Sequence, residues 1–125
     1  MTVAHIWYSD ETYTAEVILK NNQIKKNYNY WEPLIRNASI CSKSEFLPNQ
    51  EKILIRLRKA IGDSSEVAIL KFTETAIGSV KEYRKSFLNL FELPFNSTNK
   101  FSLTICQSKE TGKKILLMKG ICHFF

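Results

Sequence analysis

No stretch of this chain approaches the run of about 18 apolar residues that a membrane-spanning helix requires. The opening residues MTVAHIWYSDE hold neither a basic leader nor a continuous apolar segment, so they do not read as a secretory signal. A cytoplasmic setting with no membrane partner is therefore expected, and the sequons at Asn37 and Asn96 are read as accidental. Glycine and proline are scarce, at 4 and 3 residues, which argues against long structureless loops. The 3 cysteines, Cys41, Cys106 and Cys122, are odd in number and form no CxxC pair. In a reducing compartment that predicts buried thiols rather than a disulfide or a zinc site.

The signatures of enzymes are missing as well. No phosphate loop of the GxxxxGK kind occurs, nor any GxGxxG, HExxH or GxSxG. The 2 histidines, His5 and His123, stand at opposite ends of the chain, and no motif supports an acid–base pair between them. Asp10-Glu11 sits at a turn signal and reads as a solvated pair. No catalytic residue, cofactor or metal ligand is assigned, and a non-enzymatic protein is expected.

What is present is material for a core. Hydrophobic residues make up 44% of the 125, with 8 Phe, 5 Tyr and 2 Trp, which excludes a disordered chain. The expectation is one α+β domain over residues 1–125. The net charge of +6 is uneven. Residues 1–48 balance five basic against five acidic side chains, and residues 49–119 hold thirteen basic against seven acidic. The second region is thus the one suited to a polyanion or an acidic protein surface.

In chain order, residues 2–8 read as a strand, and residues 13–20 and 23–31 as a hairpin about Asn21-Asn22, since Asn tolerates positive φ. That register sets Leu19, Val17, Ala15 and Tyr13 on one mainly apolar face. Glu32-Pro33 ends the strand, and residues 34–47 are mixed. Asn49 is a candidate N-cap for a helix ending at Gly62, with Ile53, Leu54, Leu57, Ala60 and Ile61 inward and Lys52, Arg56 and Lys59 outward. Residues 65–77 suit either a helix, from the capping signal of Asp63 and Glu66, or a strand, from alternating β-branched residues; helix is preferred. Ser79 with Glu82 forms a capping box opening a helix to Leu93, with Val80, Tyr83, Phe87 and Leu90 as its apolar stripe and Lys81, Arg84 and Lys85 on another side. Residues 96–100 are a polar loop. A second hairpin spans residues 101–120 about Lys109-Glu110-Thr111-Gly112, pairing Ile105 with Leu116 and Leu103 with Met118. The fold is therefore expected to hold hairpins 13–31 and 101–120 packed on two or three helices from residues 49–93. The tail from residue 121 is expected to dock on the core.

Helix, helix, basic-faced helix and hairpin is the order of a winged helix-turn-helix. On that reading the leading function is nucleic-acid binding through Lys52, Arg56, Lys59, Lys81, Arg84, Lys85, Lys109, Lys113 and Lys114, by phosphate neutralisation. Residues 25–31, with lysines interleaved with Tyr28, Tyr30 and Trp31, offer a weaker base-stacking surface. The alternative is a protein partner: an inhibitor, immunity or antitoxin module that presents residues 2–8 as an edge strand. The oligomeric state is not determined by any of these features.

Overall fold

The most continuous backbone pairing is a three-stranded antiparallel sheet in the order β5 (Phe87–Leu93), β6 (Phe101–Ser108), β7 (Lys114–Gly120). The structure, a computed structural model, describes residues 1–8, 10–21 and 30–121. The expected register of the second hairpin is found, with Ile105 opposite Leu116, Leu103 opposite Met118 and Cys106 opposite Ile115. Gly112 supplies the left-handed turn position at φ 71°. On one face of this sheet Thr104, Cys106 and Leu117 are buried and pack with Cys41. The opposite face, where Leu88, Phe91 and Leu116 lie, is open.

Ahead of the sheet come a short hairpin of β1 (His5–Tyr8) and β2 (Glu11–Thr14), then helices α1 (Ala15–Lys20) and α2 (Trp31–Ile40). A two-residue pair of β3 (Glu45–Phe46) and β4 (Ala60–Ile61) brackets a loop. Helices α3 (Ser64–Ile77) and α4 (Val80–Lys85) follow. The α+β class is as expected, and so is the helix over residues 65–77. Asp63 caps α3 by accepting from the Glu66 N–H at 2.9 Å.

Several elements differ from expectation. The first hairpin turns at Asp10, φ 61°, and the expected strand from residue 15 is helical, because Thr14 caps it through the Val17 N–H. Asn21 of the expected turn ends α1 and Trp31 of the expected return strand opens α2, while residues 22–29 lie outside the described residues. Pro33 stands inside the first turn of α2, where its missing N–H has no intrahelical role, so it opens a helix where a strand end was expected. Trp31 packs edge-on against Phe72 at 6.3 Å, which joins α2 to α3.

The expected helix over residues 49–62 is a loop with one 3-10 turn, Ile55–Leu57. Asn49 adopts φ 63° instead of the extended N-cap conformation, and the Gln50 amide then spans the loop. It donates to the carbonyls of Leu47 and Lys59 at 2.9 and 2.7 Å, and it accepts from the Lys59 N–H at 2.7 Å. Without a helix, the helix–helix–helix–wing order is absent. The Ser79 helix is real but stops at Lys85; the Ser79 hydroxyl accepts from the Glu82 N–H as expected. Residues 87–93 leave it to become an edge strand on β6, with a bulge between Asn89 and Phe91.

The helical layer is locked by Glu74, which is 8% exposed. One carboxylate oxygen accepts the Val80 N–H at 2.7 Å, and the other pairs with Arg58 at 3.3 Å. Removing it leaves a buried guanidinium and a buried N–H without their carboxylate. Glu74→Ala is therefore expected to cost about 3 kcal/mol in urea unfolding. A loss below about 1 kcal/mol would show that the carboxylate does not join α3, α4 and the 51–58 loop.

Candidate site at the junction of helix α3 and strand β7

The first turn of α3 is pressed against the 42–44 segment on one side and strand β7 on the other. Gly62 makes the first approach possible. Its φ of 136° suits glycine, and a Cβ placed there would stand 2.8 Å from the Ser44 Cβ. The Ser44 hydroxyl then donates to the Glu66 carbonyl at 3.2 Å. On the other side the Glu66 carboxylate meets the Lys119 ammonium at 2.8 Å, with both side chains about three-quarters buried. The two residues are 53 positions apart, so the pair exists only in the folded chain. Behind it, Ser102 donates to the Lys119 carbonyl at 3.4 Å, and the buried Cys41 thiol rests among Ser102, Thr104 and the Leu117 carbonyl.

The same end of the sheet carries the β5–β6 connection, because Phe101 pairs with Gly120 and Leu93 with Leu103. Within that connection Phe95 is 56% exposed. The Asn96 side chain accepts from the N–H groups of Thr98 and Asn99 at 3.0 and 2.6 Å, and Lys100 takes φ 59°. An exposed ring, a lysine at the start of β6 and the Glu66–Lys119 pair are thus assembled at one sheet end. Lys43 bridges to Glu92 on β5 at 2.9 Å, and the lysine's hydrogen bond holds the Glu92 carboxyl below its usual range.

The basic residues singled out in the sequence lie elsewhere. Lys52, Arg56 and Lys59 are on the 51–59 loop, whose apolar Leu54 and Leu57 are exposed too. Lys109, Lys113 and Lys114 mark the β6–β7 turn, at the opposite sheet end from Lys119. Lys81 and Lys85 border a cleft of about 610 Å³ with Arg58 and Glu74, and Lys85 is paired with Glu82 at 2.8 Å. Arg84 faces inward: its Nε, Nη1 and Nη2 donate to the carbonyls of Ser39, Ser44 and Ser42 at 2.7, 2.9 and 3.2 Å. With three of its five N–H donors on backbone carbonyls, this guanidinium is turned to the protein rather than presented to a phosphate. Cys41 and Cys106 are buried free thiols as expected, and burial pushes the Cys106 thiol up from its usual range. Cys122 and His123 lie outside the described residues.

The family model for the P-type ATPase cytoplasmic domain N matches residues 30–123. The chain belongs to this family. It is 39% identical over 124 residues to the potassium-transporting ATPase alpha chain 2 of Cavia porcellus, covering 96% of this chain and 12% of that protein. The human potassium-transporting ATPase alpha chain 2 is 40% identical over 124 residues, with the same coverage. The sodium/potassium-transporting ATPase subunit alpha of Hydra vulgaris is 36% identical over 122 residues, again covering 96% and 12%. The chain spans about one-eighth of the length of these relatives.

This membership corrects the functional expectations. The relatives are ATPases, so neither nucleic-acid binding nor an inhibitor, immunity or antitoxin role stands, and the non-enzymatic assignment is overturned. They are also ion-transporting proteins, which overturns the expectation of no membrane context. The domain matched is a cytoplasmic one, and among the described residues no helix is long and apolar enough to cross a membrane. Glu66, Lys119, Lys100, Phe95 and Lys43 were not singled out from sequence. Glu66 had been read only as part of a cap, and residues 96–100 only as a loop. The signal available in the sequence is Phe95 placed five residues before a lysine, with a polar stretch between them.

The Asp63 cap yields a pH test. Hydrogen bonds from Ser65 and then the Glu66 N–H hold its carboxyl below the usual range. A depressed folded value means that the stabilisation is complete above the unfolded value near 4, and is lost as the pH falls through the folded value. Asp63→Ala is expected to cost about 1 kcal/mol at pH 7. The difference in urea midpoint from the parent should shrink below about pH 4; a gap that stays constant to pH 3 would contradict the ionised cap.

Proposed function

We propose that this chain binds an adenine nucleotide at the α3–β7 junction, as domain N of a P-type cation-transporting ATPase. The observation that carries this reading is the Glu66–Lys119 pair at the same sheet end as the exposed Phe95 and Lys100. Each part suits one portion of the ligand. The Phe95 ring offers a face on which a purine can stack. Lys100 supplies an ammonium group for phosphate oxygens, which a lysine binds as a point charge, whereas Lys119, in contact with Glu66, donates to the ring nitrogens at the base end. The Glu66 carboxylate accepts hydrogen bonds only, and so suits the exocyclic amine of adenine.

The pair also explains how an apo site can hold a cation ready. Lys119 is about three-quarters buried, and its carboxylate partner offsets the cost of removing its charge from water. A nucleotide can then exchange with that pairing without a wholesale rearrangement. Phosphoryl transfer depends mainly on positioning and charge stabilisation, so a domain that grips the nucleotide contributes through placement. Hydrolysis and cation movement are assigned to the whole ATPase, of which domain N supplies the nucleotide-holding part.

Titration of the chain with ATP followed by calorimetry tests this. Saturable one-to-one binding is expected. Lys119→Ala should weaken it about tenfold through loss of a charged contact, and Phe95→Ala by a similar factor through loss of stacking. Absence of saturable binding at millimolar ATP, or parental affinity in both variants, would refute the reading.

A further inference from the structure

Arg84 stands apart from the residues assigned to the nucleotide, yet both sides of that site depend on the segment it holds. Its three nitrogens take the carbonyls of Ser39, Ser44 and Ser42. Two of these acceptors flank Lys43. Lys43 reaches Glu92 on strand β5 at 2.9 Å, and the next residue, Ser44, donates to the Glu66 carbonyl in the first turn of α3 at 3.2 Å. Ser44 is fully buried, and its Cβ is the surface against which Gly62 closes. Residues 42–44 lie between α2 and β3 with no regular backbone ladder of their own. Their path is set by side-chain contacts, two of which come from the Arg84 fork.

We infer that Arg84 is a positioning residue for nucleotide binding: by fixing the carbonyls of Ser42 and Ser44 it places Glu66 against Lys119. This inference rests on the nucleotide reading above. The chemistry explains why an arginine stands there. Three carbonyls met by three separate nitrogens require a planar fork, whereas a lysine presents all its donors at one point. Arg84→Lys keeps the charge and the stem and removes only the fork. Small displacements suffice to matter, since binding groups must be held to within about 0.5 Å of their productive geometry.

The test measures ATP affinity of the chain by calorimetry, with circular dichroism to confirm folding. Arg84→Lys is expected to bind ATP about tenfold more weakly than the parent, the scale of losing one or two well-placed hydrogen bonds. If Arg84 acts through Ser44, the double variant R84K/S44A loses little more than R84K alone. R84K/F95A, in contrast, loses the product of the two single factors, because Phe95 does not act through the 42–44 segment. A purely structural role for Arg84 would not produce that contrast. Where R84K does not fold, S44A alone serves: it should bind ATP about threefold more weakly with its secondary structure retained. ATP binding by the parent together with parental affinity in R84K, or in S44A where R84K is unfolded, overturns the inference and leaves the nucleotide reading intact. Multiplicative losses in R84K/S44A overturn it too. Failure of the parent to bind ATP overturns the nucleotide reading itself.

Discussion

A guanidinium buried among backbone carbonyls organises this fold. Taking a charge out of water costs several kcal/mol unless its donors are met, and Arg84 meets that cost with the carbonyls of Ser39, Ser42 and Ser44. Burial draws its proton affinity below the usual arginine value, while the carboxylates of Glu45, Glu66 and Glu74 oppose that shift. The interaction ties α4 to the C-terminal end of α2 and to the segment entering β3. The segment entering β3 is also the one on which the first turn of α3 rests. The Glu66–Lys119 and Lys43–Glu92 pairs are therefore assembled around a shared backbone.

The same residue shows how a charge map can mislead. Arg84 lies beside Lys81 and Lys85 in sequence and counts toward the basic excess, but it turns into the protein while its neighbours stay at the surface. Other cations are likewise engaged one by one: Arg58 with Glu74, Lys119 with Glu66, Lys43 with Glu92. A polyanion-binding surface needs many cations on one face, whereas a mononucleotide needs only two or three held in place. Summed charge measures the first property and is silent on the second. That is why residues 49–119 suggested nucleic acid, although their family is one of ATPases.

The legible parts of the fold were those whose signals are local. The β6–β7 register followed from period-two alternation and a single glycine at the turn. Asp63 and Ser79 announced their helices because an N-cap acts over three residues. Residues 87–93 were not legible. Phe87, Leu88, Leu90, Phe91 and Leu93 satisfy a helical stripe, and the pairing with β6 decides for a strand, with the bulge absorbing the mismatch. Residues 49–62 failed in another way. Their apolar spacing is helical, but the left-handed Asn49 and the bridging Gln50 amide close a loop, leaving Leu54 and Leu57 exposed.

By itself the sequence determined the α+β class, the second hairpin with its register, two helix starts and the burial of Cys41 and Cys106. Each of these depends on residues near one another in the chain, or on hydrophobicity alone. The candidate site had no such local mark. Glu66 and Lys119 are 53 positions apart, and Arg84 and Ser39 are 45 apart. Only packing brings them together, and only then do a cap residue, a strand lysine and a helix arginine acquire their roles. Whether a charge faces water, a carboxylate or a carbonyl is decided by the tertiary structure, because it depends on which distant segment arrives beside it.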